Sequence, residues 1–300
     1  MRQKSISVSG HTVVCDIVGE GEETLLCLNG GPGLSCDYML SGHTALAGKG
    51  LQVVSFDQLG TGRSDRPEDD SLWSIERYVE EVETVRTALG LGKVHLAGHS
   101  WGGWLAVEYA VTHPENLASL ILENTCADIP HLIGELHRLR AALGPEAVTM
   151  MAAHEARGDF QHPEYQAAIT LLNHRHVCRL REWPEPVKRS LSTSNRHIYN
   201  LMQGPNEFHY IGNLKDWRRL DELRAVDVPA LIVVGRHDEI TPNCARLMKE
   251  AMPHARLEVF EASAHMPFHE EPERFLQVMR DFLDATISRQ QEPQPSLSTA

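Results

Sequence analysis

Short apolar runs typical of β-strands alternate along this chain with stretches of helical periodicity, and this alternation most constrains the fold. The runs are apolar on both faces, as expected of strands buried between helical layers, and occupy residues 13–18, 24–28, 51–56, 94–97, 117–122, 230–234 and 257–260. Helical spacing occupies residues 75–89, 103–112, 243–252 and 273–287. The alternation predicts an α/β fold with a mostly parallel sheet flanked by helices.

The strand rhythm stops between residues 126 and 227. This stretch is rich in Leu, Ala, Arg and His, has helical periodicity, and is punctuated by prolines. We interpret it as a helical cap domain inserted into the core, which divides the core into residues 1–125 and 228–287. Residues 288–300 are polar with almost no apolar content, which predicts a disordered tail.

Composition excludes several classes of protein. The 300 residues are 42% hydrophobic and 23% charged, which is ordinary for a soluble enzyme, and the charge balance of 28 Lys+Arg against 41 Asp+Glu, or −13, disfavours nucleic-acid binding. No apolar run reaches the roughly 18 residues of a membrane span, and the start lacks a secretory signal, so we expect a cytoplasmic protein. The six cysteines form no CxxC pair and the 17 histidines no HExxH motif, so we expect free thiols and no metal.

The sharpest local signal is the pattern Gly-x-Ser-x-Gly at residues 98–102, placed after a predicted strand and before a predicted helix. A nucleophile on such a turn adopts strained dihedral angles, and the flanking glycines leave room for backbone to pass close by. Ser100 is therefore the predicted nucleophile. Because Ser100 occupies this position, a carboxylate nucleophile is disfavoured.

A serine hydroxyl needs a base to remove its proton. In an α/β-hydrolase the partners follow in the order serine, acid, histidine. Asp238 lies in the loop after one predicted strand and His265 just after the last, where strand ends would bring both beside Ser100. We predict His265 as general base and Asp238 as the acid that orients it; His237, His254 and His269 are less well placed.

Stabilising the developing oxyanion requires backbone N–H groups. One should come from Trp101, immediately after the nucleophile. The other should come from the glycine-rich loop at residues 28–33, with Gly31 the best candidate. The same loop could bind phosphate, but it lacks the Lys and Ser/Thr of a P-loop.

With these motifs the chain resembles the proline iminopeptidase (prolyl aminopeptidase) family of α/β-hydrolases between about residues 30 and 281. The resemblance rests on Gly-Gly-Pro-Gly at 30–33, Asp-Gln-Leu-Gly-Thr-Gly-Arg-Ser at 57–64, Gly-His-Ser-Trp-Gly-Gly at 98–103, Cys-Arg at 178–179, Trp-Pro-Glu-Pro at 183–186, Gly-Pro-Asn-Glu-Phe at 204–208 and Gly-Arg-His-Asp-Glu at 235–239. It implies an α/β-hydrolase fold and an enzyme that removes an N-terminal residue, often proline, from peptides without a cofactor. One departure is Asn29, where the family usually has His before Gly-Gly-Pro-Gly.

The resemblance also implies that acids grip the free amine of the substrate, and the matching positions are Glu207 and Glu239. A protonated amine in a water-poor pocket needs anionic acceptors. Without the resemblance, both acids would be interpreted as ordinary loop and helix-start residues. Trp101, Trp104, Phe208 and Tyr210 could wall a small apolar pocket, although such residues are more often core.

These observations predict a serine aminopeptidase that releases proline or another small or apolar N-terminal residue from a peptide with a free amine. An L-amino-acid amidase shares the scaffold and the amine anchor. An esterase or lactonase would make the two glutamates incidental. A non-catalytic receptor of hydrolase fold is a remote alternative, because a pure binder has no need of a Ser, Asp and His set.

Overall fold

The computed structural model describes residues 1–291, and within them eight strands form one sheet. The strands are β1 (Arg2–Val8), β2 (His11–Val18), β3 (Glu23–Leu28), β4 (Leu51–Asp57), β5 (Val94–His99), β6 (Leu117–Glu123), β7 (Ala230–Gly235) and β8 (Arg256–Phe260). Their order is β1-β2-β4-β3-β5-β6-β7-β8; β2 is antiparallel to β1 and β4, and every other neighbouring pair is parallel. The predicted mostly parallel sheet is confirmed.

Twelve helices accompany the sheet in the described part of the chain. They are α1 (Asp37–His43), α2 (Ile75–Ala88), α3 (Trp101–Thr112), α4 (Ile129–Ala141), α5 (Pro145–Glu155), α6 (Pro163–His176), α7 (Glu185–Ser192), α8 (Arg196–Met202), α9 (Leu220–Leu223), α10 (Pro242–Ala251), α11 (Pro267–Glu270) and α12 (Pro272–Gln291). Helix ends follow local signals: Asp128 caps α4 by accepting a hydrogen bond from His131 N, and Asn195 caps α8 in the same way. None of these helices combines the length and apolar content needed to cross a membrane.

Helices α4–α9 occupy the stretch between β6 and β7, where the structure has no strand. This agrees with the loss of strand rhythm in the sequence, and the division into core and cap stays a prediction. Loop backbone joins the end of α6 to the core: His265 N donates to Val177 O at 3.1 Å, and Glu239 N donates to His176 O at 3.1 Å. The helical segment therefore contacts both loops in which the acid and the base were predicted.

Two ends of the chain differ from the sequence-based expectation. Strand β1 was not predicted, because it lies at the sheet edge and most of its side chains are exposed, so it carries no apolar run. The predicted tail from residue 288 is wrong at its start, since α12 continues to Gln291. Thr286 in its last part is buried, and its hydroxyl donates a hydrogen bond to Phe282 O at 2.8 Å. Residues 292–300 of the predicted tail lie outside the described residues.

The central strands place four loop residues at one edge of the sheet. In β5, β6 and β7 every residue is buried, which explains their continuous apolar runs. These strands and β8 are parallel neighbours, so their carboxyl ends meet on the same side. Ser100, Asn124, Asp238 and His265 each follow one of those ends. The fold thus gathers polar side chains from distant parts of the sequence.

A buried ion pair lies close to this edge. His43 at the end of α1 and Glu123 at the end of β6 are fully buried, with Nε2 to Oε1 at 3.0 Å, and His43 Nδ1 contacts Met39 O at 2.8 Å. Burial by itself lowers the pKa of His43, but the charge and hydrogen bond of Glu123 outweigh it, so the pKa is raised above its usual 6.5. Both ring nitrogens of His43 face acceptors and its pKa is raised, which favours the cationic form that compensates the buried carboxylate of Glu123.

We expect His43→Ala to lower the free energy of unfolding by about 3–5 kcal/mol at pH 6, because Glu123 would be left buried without its partner. The raised pKa fixes the pH dependence: the stabilisation is complete below the ordinary histidine pKa and is lost as pH rises through the folded-state value. Urea unfolding of both proteins between pH 5 and pH 9 measures the difference.

The matched control is the exposed pair of His197 and Asp70, whose atoms are 2.6 Å apart at the surface. His197→Ala should change the unfolding free energy by no more than about 1 kcal/mol. An equal loss in the two variants, or a His43 effect that grows with pH, would contradict the assignment of a buried ion pair.

Candidate active site

Ser100 lies on a tight turn between β5 and α3. Its backbone has φ 56° and ψ −121°, in a region that non-glycine residues rarely adopt, and its side chain is largely buried. The turn is fastened by Ser100 N, which donates to Glu123 O at 3.0 Å, and by Thr125 Oγ1, which donates to Ser100 O at 2.8 Å. The strained conformation of Ser100 is thus stabilised by hydrogen bonds to the neighbouring strand β6 and to the loop after it.

The glycines on either side of Ser100 permit close backbone contacts. A Cβ atom on Gly98 would lie 2.2 Å from Gly102 O, and one on Gly102 would lie 2.0 Å from Leu28 O. Both distances are far below any tolerated contact, so another residue at either position would force the backbone apart. The Gly-x-Ser-x-Gly pattern is therefore a geometric requirement of this turn.

His265 and Asp238 meet directly. His265 Nδ1 is 2.7 Å from Asp238 Oδ1, and both side chains are buried. The Asp238 carboxylate also accepts hydrogen bonds from Ile240 N at 3.0 Å and from Asn124 Nδ2 at 2.6 Å. Burial raises the pKa of Asp238, while the hydrogen bonds from Asn124 and Ile240 favour its ionised form. With Nδ1–H directed at the carboxylate, His265 presents the lone pair of Nε2 to the cavity.

The cavity that contains Ser100 also contains His265. Burial lowers the pKa of His265 to about 4, and the charge of Glu207 opposes this, so the imidazole is neutral at physiological pH. Ser100 Oγ makes no hydrogen bond to any residue among 1–291. The atom that Nε2 approaches is Glu239 Oε1, at 3.6 Å. The structure thus brings Ser100 and His265 to one cavity without a hydrogen bond between them.

The two residues predicted to supply backbone N–H groups, Gly31 and Trp101, both lie close to Ser100. Gly31 lines the cavity with φ +56°, and Trp101 begins α3 directly after Ser100. Neither N–H donates a hydrogen bond within the part of the chain that is described, so both are available to an oxyanion. The Trp101 ring is anchored separately, by donation from Nε1 to Gln58 Oε1 at 2.9 Å.

The glycine-rich loop is held by Asn29 and Tyr38. Asn29 Nδ2 donates to Gly30 O at 3.1 Å and Leu34 O at 3.0 Å, so asparagine does hold the loop at the position where the family usually has histidine. Gly30 N donates to Tyr38 Oη at 2.5 Å, and Tyr38 Oη is 2.8 Å from His99 Nδ1. The chain of contacts ties the loop to the residue before Ser100.

His99 continues this chain of contacts to the loop that carries His265. Its Nε2 is 2.7 Å from His265 O, a carbonyl that can only accept, so Nε2 carries the hydrogen and Nδ1 accepts from Tyr38. Burial, followed by the charge of His265, lowers the pKa of His99 well below 6.5, so it stays neutral. One hydrogen-bond chain therefore connects the loop that carries Gly31, the turn and His265.

Of the two predicted amine ligands, Glu207 lines the cavity of Ser100, and Glu239 lies behind it, next to His265. Glu207, in the loop between α8 and α9, lines the cavity and accepts a hydrogen bond from Gln203 Nε2 at 2.6 Å. Glu239, next to Asp238, is 1% exposed, and neither of its carboxylate oxygens has a hydrogen-bond partner within residues 1–291. Burial raises the pKa of Glu239 well above its ordinary value, and the charges of Glu207 and Asp238 add to this.

Apolar side chains complete the cavity wall: Leu34, Val177, Val187, Leu191 and Met266. The four aromatic residues considered for this role, Trp101, Trp104, Phe208 and Tyr210, are buried in the hydrophobic core and do not line the cavity. Trp104 stacks edge to face on both Trp101 and Tyr210, at 6.1 Å between ring centroids in each case. Tertiary packing places these four aromatic residues in the core, and the composition of the chain does not show this.

Among the described residues one group has metal-binding spacing: His154, His162 and Glu164, with ligand atoms within 4.8 Å of one another. None of the three lines the cavity of Ser100. His162 and Glu164 form the start of α6, where the helix dipole disfavours a cation, and Arg157 contacts His154 Nδ1 at 3.2 Å. The arrangement has an ordinary explanation as a helix cap.

Comparison with known proteins agrees with this geometry. The family model described as the α/β hydrolase fold matches residues 23–272. A proline iminopeptidase of Saccharolobus solfataricus is 40% identical over 266 residues, which cover 88% of this chain and 86% of that protein. A proline iminopeptidase of Heyndrickxia coagulans is also 40% identical over 266 residues, which cover 88% and 92%. The chain belongs to the proline iminopeptidase group of the α/β-hydrolase family.

A solved structure shows the same architecture. The crystal structure of the Mycobacterium smegmatis proline iminopeptidase superimposes with a TM-score of 0.87 at 32% sequence identity, covering 95% of this chain and 98% of that one. The family resemblance and the α/β-hydrolase fold predicted from the motifs are thus confirmed.

Three polar residues at the site of this proline iminopeptidase family member escaped the sequence analysis: Asn124, Tyr38 and His99. Asn124 has φ 49° and donates from Nδ2 to both Asp238 Oδ2 and Ala264 O. A signal for it existed, because it is the polar residue directly after β6, the strand between those that precede Ser100 and Asp238. No comparable signal marks Tyr38, whose partners are remote in sequence.

We predict that Ser100→Ala abolishes turnover and leaves the fold intact. The hydroxyl makes no hydrogen bond within the described residues, so its removal leaves no buried group unpaired. Turnover of an activated ester and the thermal midpoint of unfolding, measured on both proteins, test this. Retained turnover would place the nucleophile elsewhere.

The lowered pKa of His265 predicts the pH at which activity is lost on the acidic side of the pH–rate profile. Since the base works only when neutral, activity should persist as pH falls below 6.5 and disappear only near the lowered pKa of about 4. The kcat/KM for phenyl acetate, which has no amine of its own to titrate, should be measured from pH 3.5 to pH 8. An acid limb centred at or above pH 6.5 would contradict the neutral, buried imidazole.

Proposed function

We propose that this protein is a serine aminopeptidase that releases proline, or another small apolar residue, from the N-terminus of peptides through an acyl-enzyme. The observation that carries the proposal is Glu239. Its buried carboxyl group has two oxygens without a hydrogen-bond partner in residues 1–291, and Oε1 lies 3.6 Å from Nε2 of His265, which lines the cavity of Ser100. Burying such a group is costly unless a donor arrives, and an ammonium group supplies donors and a compensating charge.

The reaction would follow from the placement of the side chains. His265 Nε2 takes the proton of Ser100 as Oγ attacks the carbonyl carbon, and Asp238 stabilises the imidazolium. The N–H groups of Gly31 and Trp101 donate hydrogen bonds to the developing oxyanion. His265 then protonates the leaving amine, which departs with the rest of the peptide. A water molecule, deprotonated by His265, releases the N-terminal residue from Ser100.

The amine anchor would make the enzyme an exopeptidase. Glu207 lines the cavity beside Ser100, and Glu239 lies close enough for the charge of Glu207 to act on it, so an ammonium group that both carboxylates bind would be held near Ser100. An internal peptide bond offers no cation at that position. The carboxylates would therefore select a free N-terminus by charge pairing in a site shielded from water.

The cavity wall supports a small apolar first residue. Leu34, Val177 and Val187 line it beside Ser100, and no lysine or arginine is among its lining residues in the described part of the chain. A pyrrolidine ring or a short aliphatic side chain would bury apolar surface there at about 25 cal/mol per Å². An acidic first side chain would lose hydration without finding a basic partner, and it would be repelled by Glu207.

The test is steady-state hydrolysis of prolyl-, alanyl- and leucyl-arylamides, each beside its N-acetylated counterpart. We expect cleavage of the free-amine forms only, with prolyl or alanyl preferred. Equal cleavage of both forms would favour the general esterase or lactonase. Prolyl dipeptides measured beside prolinamide separate the aminopeptidase from the L-amino-acid amidase, whose site would share the same anchor.

Variants of the two acids test the anchor itself. Glu207→Gln and Glu239→Gln should each lower kcat/KM for prolyl arylamide by about 10²-fold or more, since a charge-assisted hydrogen bond in a buried site contributes roughly 3 kcal/mol. Gln166→Glu changes an exposed residue of the cap segment by a similar chemical step and should leave kcat/KM within twofold of the wild type. An equal loss on prolyl arylamide and on phenyl acetate would remove the role in amine binding.

A further inference from the structure

A second cavity adjoins the one that contains Ser100. Its volume is about 380 Å³, which lies within the range of small-ligand sites. The two cavities share one boundary, because four residues line both of them: Leu34, Val177, Leu191 and Glu207. A peptide extends on both sides of the bond that is cleaved. The second cavity is therefore a candidate site for the part of the peptide that leaves.

The charged groups of the second cavity lie at opposite ends. Among its lining residues in the described part of the chain, Glu207 is the single acid and Arg196 the single basic side chain. Glu207 belongs to the boundary with the cavity of Ser100, whereas Arg196 lines the second cavity alone and is exposed to solvent. The cavity is thus negative towards the nucleophile and positive towards its mouth.

The side chain of Arg196 is held in place but keeps its charge free. Both hydrogen bonds that it donates within residues 1–291 go to neutral oxygens, Pro205 O at 2.6 Å and Asn200 Oδ1 at 3.5 Å. Its guanidinium carbon also lies 4.6 Å from the centroid of the Tyr199 ring. A guanidinium group that is already ordered loses little freedom when it binds an anion. Arg196 is therefore prepared for an anionic ligand.

We propose that Arg196 binds the C-terminal carboxylate of a short peptide substrate, so that the second cavity selects peptides with a free C-terminus. The proposal rests on the proposed aminopeptidase function and narrows its substrate class. A short free peptide carries an ammonium group at one end and a carboxylate at the other, which matches Glu207 and Arg196. The planar guanidinium fork fits the two oxygens of a carboxylate.

The expected effect is modest because Arg196 is exposed. A solvent-exposed pair of guanidinium and carboxylate changes an affinity by up to about fivefold. Salt screens such a pair, so the effect should shrink in about 0.5 M sodium chloride. The C-terminal amide of the same peptide is the matched neutral ligand, since it replaces one oxygen by an NH₂ group and keeps the length of the chain.

The experiment compares each peptide with its own C-terminal amide. Release of proline is measured from prolyl-alanine and from its extensions to three and four residues with alanine, each as the free acid and as the amide. At the length whose carboxylate reaches Arg196, the wild type should favour the free acid by about fivefold in kcat/KM. The preference should appear in KM with kcat within twofold, because the carboxylate is bound equally in the ground state and the transition state.

Variants test whether Arg196 causes this preference. Arg196→Gln should reduce the ratio of free acid to amide to about one, and Arg196→Lys, which keeps the charge without the fork, should keep a ratio of about two or more. Each ratio is measured on a single enzyme preparation, so any loss of folded protein cancels.

The matched control is Arg224→Gln. Arg224 is also exposed, lies 3.5 Å from Asp221 and lines neither cavity. Its loss removes the same charge from the surface and should leave the ratio at the wild-type value. An equal fall in both variants would indicate a general field of the protein and would overturn the proposal.

The outcome is separable from that of the proposed function, because arylamides carry no carboxylate. If free-amine arylamides are cleaved and their N-acetylated forms are not, while the ratio of free acid to amide is close to one at all three lengths, the aminopeptidase function stands and the role of Arg196 is wrong. A ratio that survives in Arg196→Gln would overturn the role of Arg196 in the same way. If both arylamide forms are cleaved equally, the aminopeptidase function fails and this proposal fails with it.

Discussion

The turn at Ser100 is the constraint on which the rest of the site depends. The backbone reverses from β5 into α3 within so little space that Gly98 and Gly102 nearly touch other main-chain atoms, and Ser100 itself adopts a disfavoured conformation. Hydrogen bonds to Glu123 and Thr125 hold it there. Because the strained turn is attached to the fully buried parallel strands β5 and β6, the side chain of Ser100 is presented at one defined point, and the other groups can be arranged around it.

Buried polar groups around this turn fall into two kinds. Asp238 is saturated, with three donors directed at its carboxylate, and His43 compensates Glu123. Glu239 is the opposite, since a carboxyl group with no donor is buried beside another acid. The first kind fixes geometry in the free protein. The second kind is an incomplete site. A ligand that binds there should carry a positive charge and hydrogen-bond donors, because the unpaired carboxyl group lacks both.

Much of this organisation was readable from the sequence. The period of the apolar runs predicted the parallel sheet and its flanking helices. The Gly-x-Ser-x-Gly pattern predicted the tight turn, because only glycine fits sterically at its two outer positions. The positions of Asp238 and His265 after predicted strands placed them at the edge where the structure finds them. Prediction was poorest where the apolar pattern is weak: β1 is mostly exposed, and α12 ends in polar residues that were interpreted as tail.

The sequence by itself determined the fold class, the turn and the order of serine, acid and histidine, because these depend on local periodicity and on glycines with no substitute. Only the tertiary structure decided that Tyr38 and His99 connect the glycine-rich loop to His265, that Asn124 donates to Asp238, and that Glu239 faces Nε2 without a donor of its own. These contacts join residues that are distant in the chain. They are strong because water is excluded from them, and water is excluded only once the sheet and the helical segment between β6 and β7 have closed around them.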